Sequence, residues 1–235
     1  MHYWPIALPF LLVLWALFAL FIGMVQIGLL EHAFDSMGLD RRYMFSLILL
    51  SLVGSCINIP ITELPAEPVR SGGIVEHFGM WYVVPMLVRH PGTVLAVNVG
   101  GAIIPIVLSI YLMIKNRLFV ESFIAVGFVA VTVHALARPV PGVGIAVPTL
   151  IPPIITAVVA LFIMPWRAGP LAYIAGSLGT LIGADLLNLG KVRGLGAPVA
   201  SIGGAGKFDA IFLTGLVAVL IAGLLGGRPR VRQAN

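Results

Sequence analysis

The stretch Pro170-Leu171-Ala172-Tyr173-Ile174-Ala175-Gly176-Ser177-Leu178-Gly179-Thr180-Leu181-Ile182-Gly183-Ala184-Asp185-Leu186-Leu187-Asn188-Leu189 decides the class of this protein. It carries a single charge, Asp185. About 20 apolar residues is the length that crosses the hydrocarbon core of a bilayer as one helix. The composition agrees with that reading. Of 235 residues, 60% are hydrophobic and only 10% charged, with a mean hydropathy of +1.08, whereas a soluble domain carries about 25% charged residues. The sequence reads as an all-α integral membrane protein, a single polytopic domain over 1–235 whose direct partner is the lipid bilayer.

Hydropathy predicts seven spans, at about 5–30, 44–61, 97–114, 118–137, 147–165, 170–189 and 208–226. The first lacks a basic start and exceeds the core of a signal peptide, which makes it a retained helix. Between 62 and 96 lies the longest polar excursion, with Met80 to Val88 apolar enough for an interfacial or re-entrant piece. Seven spans put Arg41, Arg42, Lys115, Arg117, Arg167, Arg228, Arg230 and Arg232 on one side. Arg70, Arg89, Arg138, Lys191, Arg193 and Lys207 fall on the other. The excess predicts an outer N-terminus and a cytoplasmic C-terminus.

The same scatter explains the net charge of +5 as a topology signal, with no groove for nucleic acid. Cys56 is the one cysteine, which excludes an intrachain disulfide and a cysteine zinc cluster. His77 and His90 match no ligand spacing, and His134 reads as a hydrogen bond to a neighbouring helix. Gly100-Gly101 and Gly203-Gly204 lack the Lys-Ser/Thr ending of a phosphate loop. No metal or cofactor is expected.

Glycine and proline interrupt the apolar pattern at Asn58-Ile59-Pro60, at Gly100 to Pro105 and at Gly203 to Gly206. Broken backbone is tolerated at membrane depth only where protein or a water cavity satisfies it. An internal echo relates Ser51-Leu52-Val53-Gly54-Ser55-Cys56-Ile57 to Ser177-Leu178-Gly179-Thr180-Leu181-Ile182. A second relates Asn98-Val99-Gly100-Gly101-Ala102 to Ser201-Ile202-Gly203-Gly204-Ala205. These suggest repeat halves at 1–115 and 138–227, a pattern common in transporters. The intervening Ala137 to Pro148 is proline-rich, a stiff non-helical elbow. It either tilts span 5 or folds into the bundle mouth and brings Arg138 to the acids or to an anionic substrate.

Asp185 near the end of span 6 and Asp209 at the start of span 7 fall near one membrane face in an antiparallel hairpin. An acid kept at membrane depth is a functional hypothesis by default. Two carboxylates about 3 Å apart share a proton and can act as base and acid on one water. Gly203, Gly204 and Gly206 would let an extended substrate backbone approach. Alternatively, Asp209 caps span 7 and Asp185 forms an interfacial ion pair with Lys191 or Arg193. A transporter or channel is the other functional class, with Asn58, Asn98, Asp185 and Asp209 coordinating a cation or relaying protons; a scaffold without chemistry is a third option.

The elbow Arg138-Pro139-Val140-Pro141-Gly142-Val143-Gly144-Ile145, the Asn58-Ile59-Pro60 turn, Asn98-Val99-Gly100-Gly101-Ala102 and the run Gly203 to Leu213 together resemble domain of unknown function 1614, a prokaryotic membrane family. The resemblance implies a multi-pass protein of a prokaryotic plasma membrane and carries no reaction. Locally, Gly204-Ala205-Gly206-Lys207-Phe208-Asp209-Ala210-Ile211-Phe212-Leu213-Thr214-Gly215 is similar to the GxGD segment of intramembrane aspartyl proteases. Lys207 and Phe208 separate the last glycine from the acid, no Tyr precedes Asp185, and no Pro-Ala-Leu element follows Asp209. This second resemblance implies a peptidase with Asp185 and Asp209 as its catalytic pair and a transmembrane peptide as substrate; the transporter reading would instead take a small solute.

Overall fold

The computed structural model describes residues 23, 28–64, 73–77, 80–84, 92–140, 144–192, 199–204 and 210–226. The predicted span at 5–30 lies almost wholly outside them, as do Gly206, Lys207 and Asp209.

The chain is mostly helical. Among the described residues three helices are long and apolar enough to cross a membrane: Val99–Asn116, Phe119–Leu136 and Pro165–Val192. The seven-span expectation is thus supported at three spans. Two more predicted spans are shorter apolar helices, α5 (Ile151–Ile163) and α7 (Ala210–Leu225). A short α1 (Leu29–Ser36) precedes α2 (Met44–Gly54). The predicted span at 44–61 ends early, because α2 stops at Gly54 and Asn58–Leu64 is a strand. Eleven residues make a rod of about 16 Å, half the hydrocarbon thickness.

The all-α expectation is corrected by strands. β1 (Asn58–Leu64) pairs antiparallel with β4 (Thr93–Asn98), and β4 pairs parallel with β7 (Val199–Ile202), in the order β1-β4-β7. β2 (Gly73–His77) and β3 (Met80–Val84) form a hairpin inside the long polar excursion, so Met80 begins a strand where the sequence suggested a re-entrant piece. The proline-rich elbow is a second hairpin of β5 (Arg138–Val140) and β6 (Gly144–Ala146). The physical reason is common to all of these. Glycine and proline stop helices, and the backbone they release at an apolar boundary is satisfied by strand pairing.

Val99–Ile103 is a π turn that runs into α3 (Ile104–Asn116), with Pro105 in the first turn of that helix. The predicted break at Gly100 to Pro105 is therefore a strand-to-helix junction. The expected internal repeat is not confirmed by the fold. Both glycine pairs follow strands that are parallel neighbours, yet Gly203 and Gly204 turn at φ +91 and +93, whereas Gly100 and Gly101 open a helix.

Helix α6 (Ala168–Thr180) is the core of the bundle, packed against α3, α5, α7 and α4 (Phe119–Leu136). Its glycines set those distances. A Cβ at Gly176 would lie 3.1 Å from Gly215 Cα of α7, and one at Gly179 would lie 2.7 Å from Val129 Cβ of α4. Lipid tails remove the hydrophobic drive between helices, so close approach over small residues holds them together. At one end of the bundle Arg167 Nη1 donates to the Asn116 carbonyl at 2.7 Å, and Lys115 Nζ donates to the Gly38 carbonyl. Basic residues therefore gather at that end. The three-stranded sheet joins the opposite ends of the same helices.

Candidate functional site: the π turn and the strand junction

Beyond Thr180 the helix continues as a π turn over Leu181–Asp185, a 3-10 turn over Leu186–Asn188 and a final α-turn over Leu189–Val192. A π turn widens the helix by a residue and detaches carbonyls from their usual partners. Side chains collect them here. Asn188 Nδ2 donates to the Gly183 and Ala184 carbonyls at 3.0 and 2.9 Å, and His134 Nδ1 of α4 donates to the Gly183 carbonyl at 3.3 Å. His134 thus makes the interhelical bond expected of it. Gly183 is obligatory, since a Cβ there would fall onto the Ala130 carbonyl oxygen.

Asp185 ends this turn, and its Oδ2 accepts the Gly203 N–H at 2.7 Å. That bond fixes the start of the glycine-rich loop against the helix. Gly203 is itself wedged on the α3 junction, where a Cβ would lie 2.6 Å from Ala102 N. Asp185 stands twenty residues beyond Pro165, about 30 Å at 1.5 Å per residue, a rise equal to the hydrocarbon thickness of a bilayer.

Next to it the three strands are tied end to end. Asn98 Nδ2 donates to the Ser55 carbonyl at 2.7 Å and to Asn58 Oδ1 at 3.0 Å, while Asn98 Oδ1 accepts the Gly101 N–H at 2.8 Å. Both amide protons of Asn98 are engaged. Asn58 Oδ1 also accepts Ser201 Oγ–H at 2.6 Å, and Ser51 Oγ–H donates to the Gly100 carbonyl at 2.9 Å. Gly100 has no room for a side chain, because a Cβ would fall on the Ser51 carbonyl and Ser55 nitrogen.

Of the residues singled out in the sequence, Asn58, Asn98, Gly203, Gly204 and Asp185 therefore belong to one region. Arg138 does not join them through an ion pair: it is exposed on β5, while its hairpin partner β6 packs against the π turn. Gly206 and Asp209 lie outside the described residues. Ser51, Ser55, Ser201 and Asn188 complete the region without being singled out by the sequence. In the sequence, Ser51, Ser55 and Ser201 stand out only as members of the internal echoes. Among the described residues no three His, Cys, Asp or Glu side chains are grouped to hold a metal ion.

A sequence profile described as "Protein of unknown function (DUF1614)" matches residues 52–221, over two thirds of the chain. The chain belongs to the DUF1614 family. The match begins in α2 and ends in α7, so it takes in every strand among the described residues and the π turn. No curated protein and no solved structure matches this DUF1614 member.

Proposed function

We propose that this protein is a membrane-embedded di-aspartate peptidase, working with Asp185 and Asp209 at the membrane face opposite its basic end. One observation carries the reading: both flanks of the segment 205–209 are tied to the π turn. On one flank Gly203 N–H is bound by Asp185. On the other, Ile211 shares a small buried cluster with Leu181 and Ala102. Leu181 belongs to the same π turn as Asp185, and Ile211 is two residues from Asp209 in sequence, which supports a close pair of acids.

In this mechanism one carboxylate takes a proton from water as the water oxygen bonds to the scissile carbonyl carbon. The other carboxyl gives its proton to the carbonyl oxygen. Collapse of the resulting gem-diol breaks the C–N bond, and the amine nitrogen leaves with a proton returned from the pair. Among the described residues β7 is an edge of its sheet, and an extended transmembrane peptide laid along it would reach the acids past Gly203 and Gly204. The protein is read as multi-pass in a prokaryotic plasma membrane, with the basic end and the C-terminus cytoplasmic.

Proximity is tested by cysteine cross-linking in full-length protein that carries Cys56→Ser, Asp185→Cys and Asp209→Cys. Rapid disulfide formation in membranes is expected; failure to cross-link under oxidant sinks the pair. Cleavage of reconstituted transmembrane peptides, lost in Asp185→Asn and in Asp209→Asn, would then establish the reaction. The convergence of broken segments from both halves of the chain favours a second reading, a small ion or solute transporter whose path passes Asp185. Flux into proteoliposomes without any peptide cleavage would select it.

A further inference from the structure

Three spans end together at the basic end of the bundle. Asn116 closes one, Arg117 and Leu118 connect it to the span that opens at Phe119, and Pro165 opens the third. Arg167 Nη1 donates to the Asn116 carbonyl at 2.7 Å, so its guanidinium lies against the peptide that joins Asn116 to Arg117. Lys115 Nζ donates to the Gly38 carbonyl and stands 5.4 Å from the centre of the Tyr111 ring. Lys115, Arg117 and Arg167 are thereby gathered around the end of α3.

The three cations differ in how far they are engaged. Lys115 and Arg167 each give one N–H to a main-chain carbonyl, which holds them in place without neutralising them. Arg117 is exposed, and among the described residues its side chain has no partner. The nearest carboxylate in sequence is Glu121, in the first turn of α4. One acid against three cations leaves a surplus of positive charge at this helix end.

The backbone does not call for an arginine here. Arg117 caps α3 at φ 53 and ψ 44, and it is the one non-glycine residue with positive φ among the described residues. Glycine or asparagine usually fills such a cap, because Cβ crowds the chain in the left-handed region. What arginine adds is a guanidinium, whose fork matches a phosphate.

An apolar track leads to these charges. Val107, Ile110, Tyr111 and Ile114 are all exposed, and their spacing of three and four puts them on one face of α3. The row rises about 10 Å and ends one turn short of Arg117. It therefore runs from the hydrocarbon of one leaflet up to its headgroups. Trp166, exposed next to Arg167, has the amphipathic ring that settles at that level.

We propose that Arg117, flanked by Lys115 and Arg167, holds the phosphate of an anionic phospholipid whose acyl chain lies along the exposed face of α3. Arg117 is the principal contact because its fork is unengaged. A lipid such as phosphatidylglycerol carries a net negative charge, whereas phosphatidylethanolamine and phosphatidylcholine add a cation that these three residues repel.

The test is native mass spectrometry of the full-length protein with equal amounts of those three lipids. Retention of phosphatidylglycerol above the other two is expected. Arg117→Gln should reduce it about tenfold, the loss of one charge-assisted contact. Arg117→Gly should reduce it equally, yet in lipid-free detergent this variant should unfold no earlier than the parent, because glycine suits the cap. That pair of readings separates lost binding from lost folding. Lys191→Gln, which removes an exposed cation beyond the π turn, should leave retention unchanged.

Equal retention of the three lipids, unchanged retention in Arg117→Gln, or a loss in Lys191→Gln as large as that in Arg117→Gln overturns the proposal. Stabilisation by inorganic phosphate equal to that by phosphatidylglycerol also overturns it, in favour of a site for soluble anions.

Discussion

Asp185 and Gly203 are joined by a 2.7 Å hydrogen bond between a carboxylate oxygen and a backbone amide. The bond links the terminal π turn of the central helix to the turn that leaves β7. Gly203 in turn rests on the junction between β4 and α3, so the acid is positioned by three separate elements.

Gly203→Ala tests the turn. The residue sits at φ +91, and its Cβ would lie 2.6 Å from Ala102 N and 2.7 Å from Gly101 C. Left-handed strain and backbone overlap together should cost more than about 2 kcal/mol. Thermal unfolding in detergent should show the loss as a lower midpoint, and an unchanged midpoint would contradict the turn geometry.

Asn98→Leu tests the strand ties. The side chain is buried and serves Ser55, Asn58 and Gly101. Its removal leaves buried backbone groups unpaired, each costing about 1–3 kcal/mol. Severe destabilisation or failure to accumulate in membranes is expected. Asn58→Ala should be milder, because Asn58 is exposed.

Two glycines should respond in opposite ways. Gly100→Ala would place its Cβ on the Ser51 carbonyl, whereas a Cβ at Gly127, inside α4, meets nothing within 4 Å. Gly127→Ala should be neutral or stabilising, by up to about 1 kcal/mol. Parallel unfolding curves of the two variants check the contrast.

Membrane orientation is open to labelling in intact cells. Arg117 is exposed at the basic end, and Gly190 is exposed beyond the π turn. In a Cys56→Ser background, an impermeant maleimide should reach Gly190→Cys from outside and Arg117→Cys only after permeabilisation. The reverse pattern would invert the proposed topology.

Asn188→Leu should weaken the π turn. It removes the donor for the Gly183 and Ala184 carbonyls, leaving His134 to serve Gly183 alone. A loss of about 1–3 kcal/mol is expected, read as faster hydrogen exchange around 181–188 along with a lower unfolding midpoint.

Much of this architecture is legible in the sequence because it depends on local composition. The run from Pro170 to Leu189 is apolar enough to be a span in any context, and the spans at Val99–Asn116 and Phe119–Leu136 follow for the same reason. Asp185 stands out because a charge in such a run is costly. The prolines of the elbow rule out helix, and their hairpin obeys that restriction.

Other features were decided only by contacts between distant segments. Asn58-Ile59-Pro60 reads as a helix break, yet it is part of β1 because β4, some forty residues away in sequence, supplies its hydrogen-bond partners. Strand pairing is a property of two segments, and no local pattern in either one specifies the other. The approach of Gly203 to Asp185 has the same origin. Sequence alone determined that this chain resides in a membrane, carries an acid inside a span and contains segments that cannot remain helical. Tertiary structure decided that those segments meet beside that acid, because their freed backbone groups find partners in one another and in the side chains of Ser51, Asn98 and Asp185.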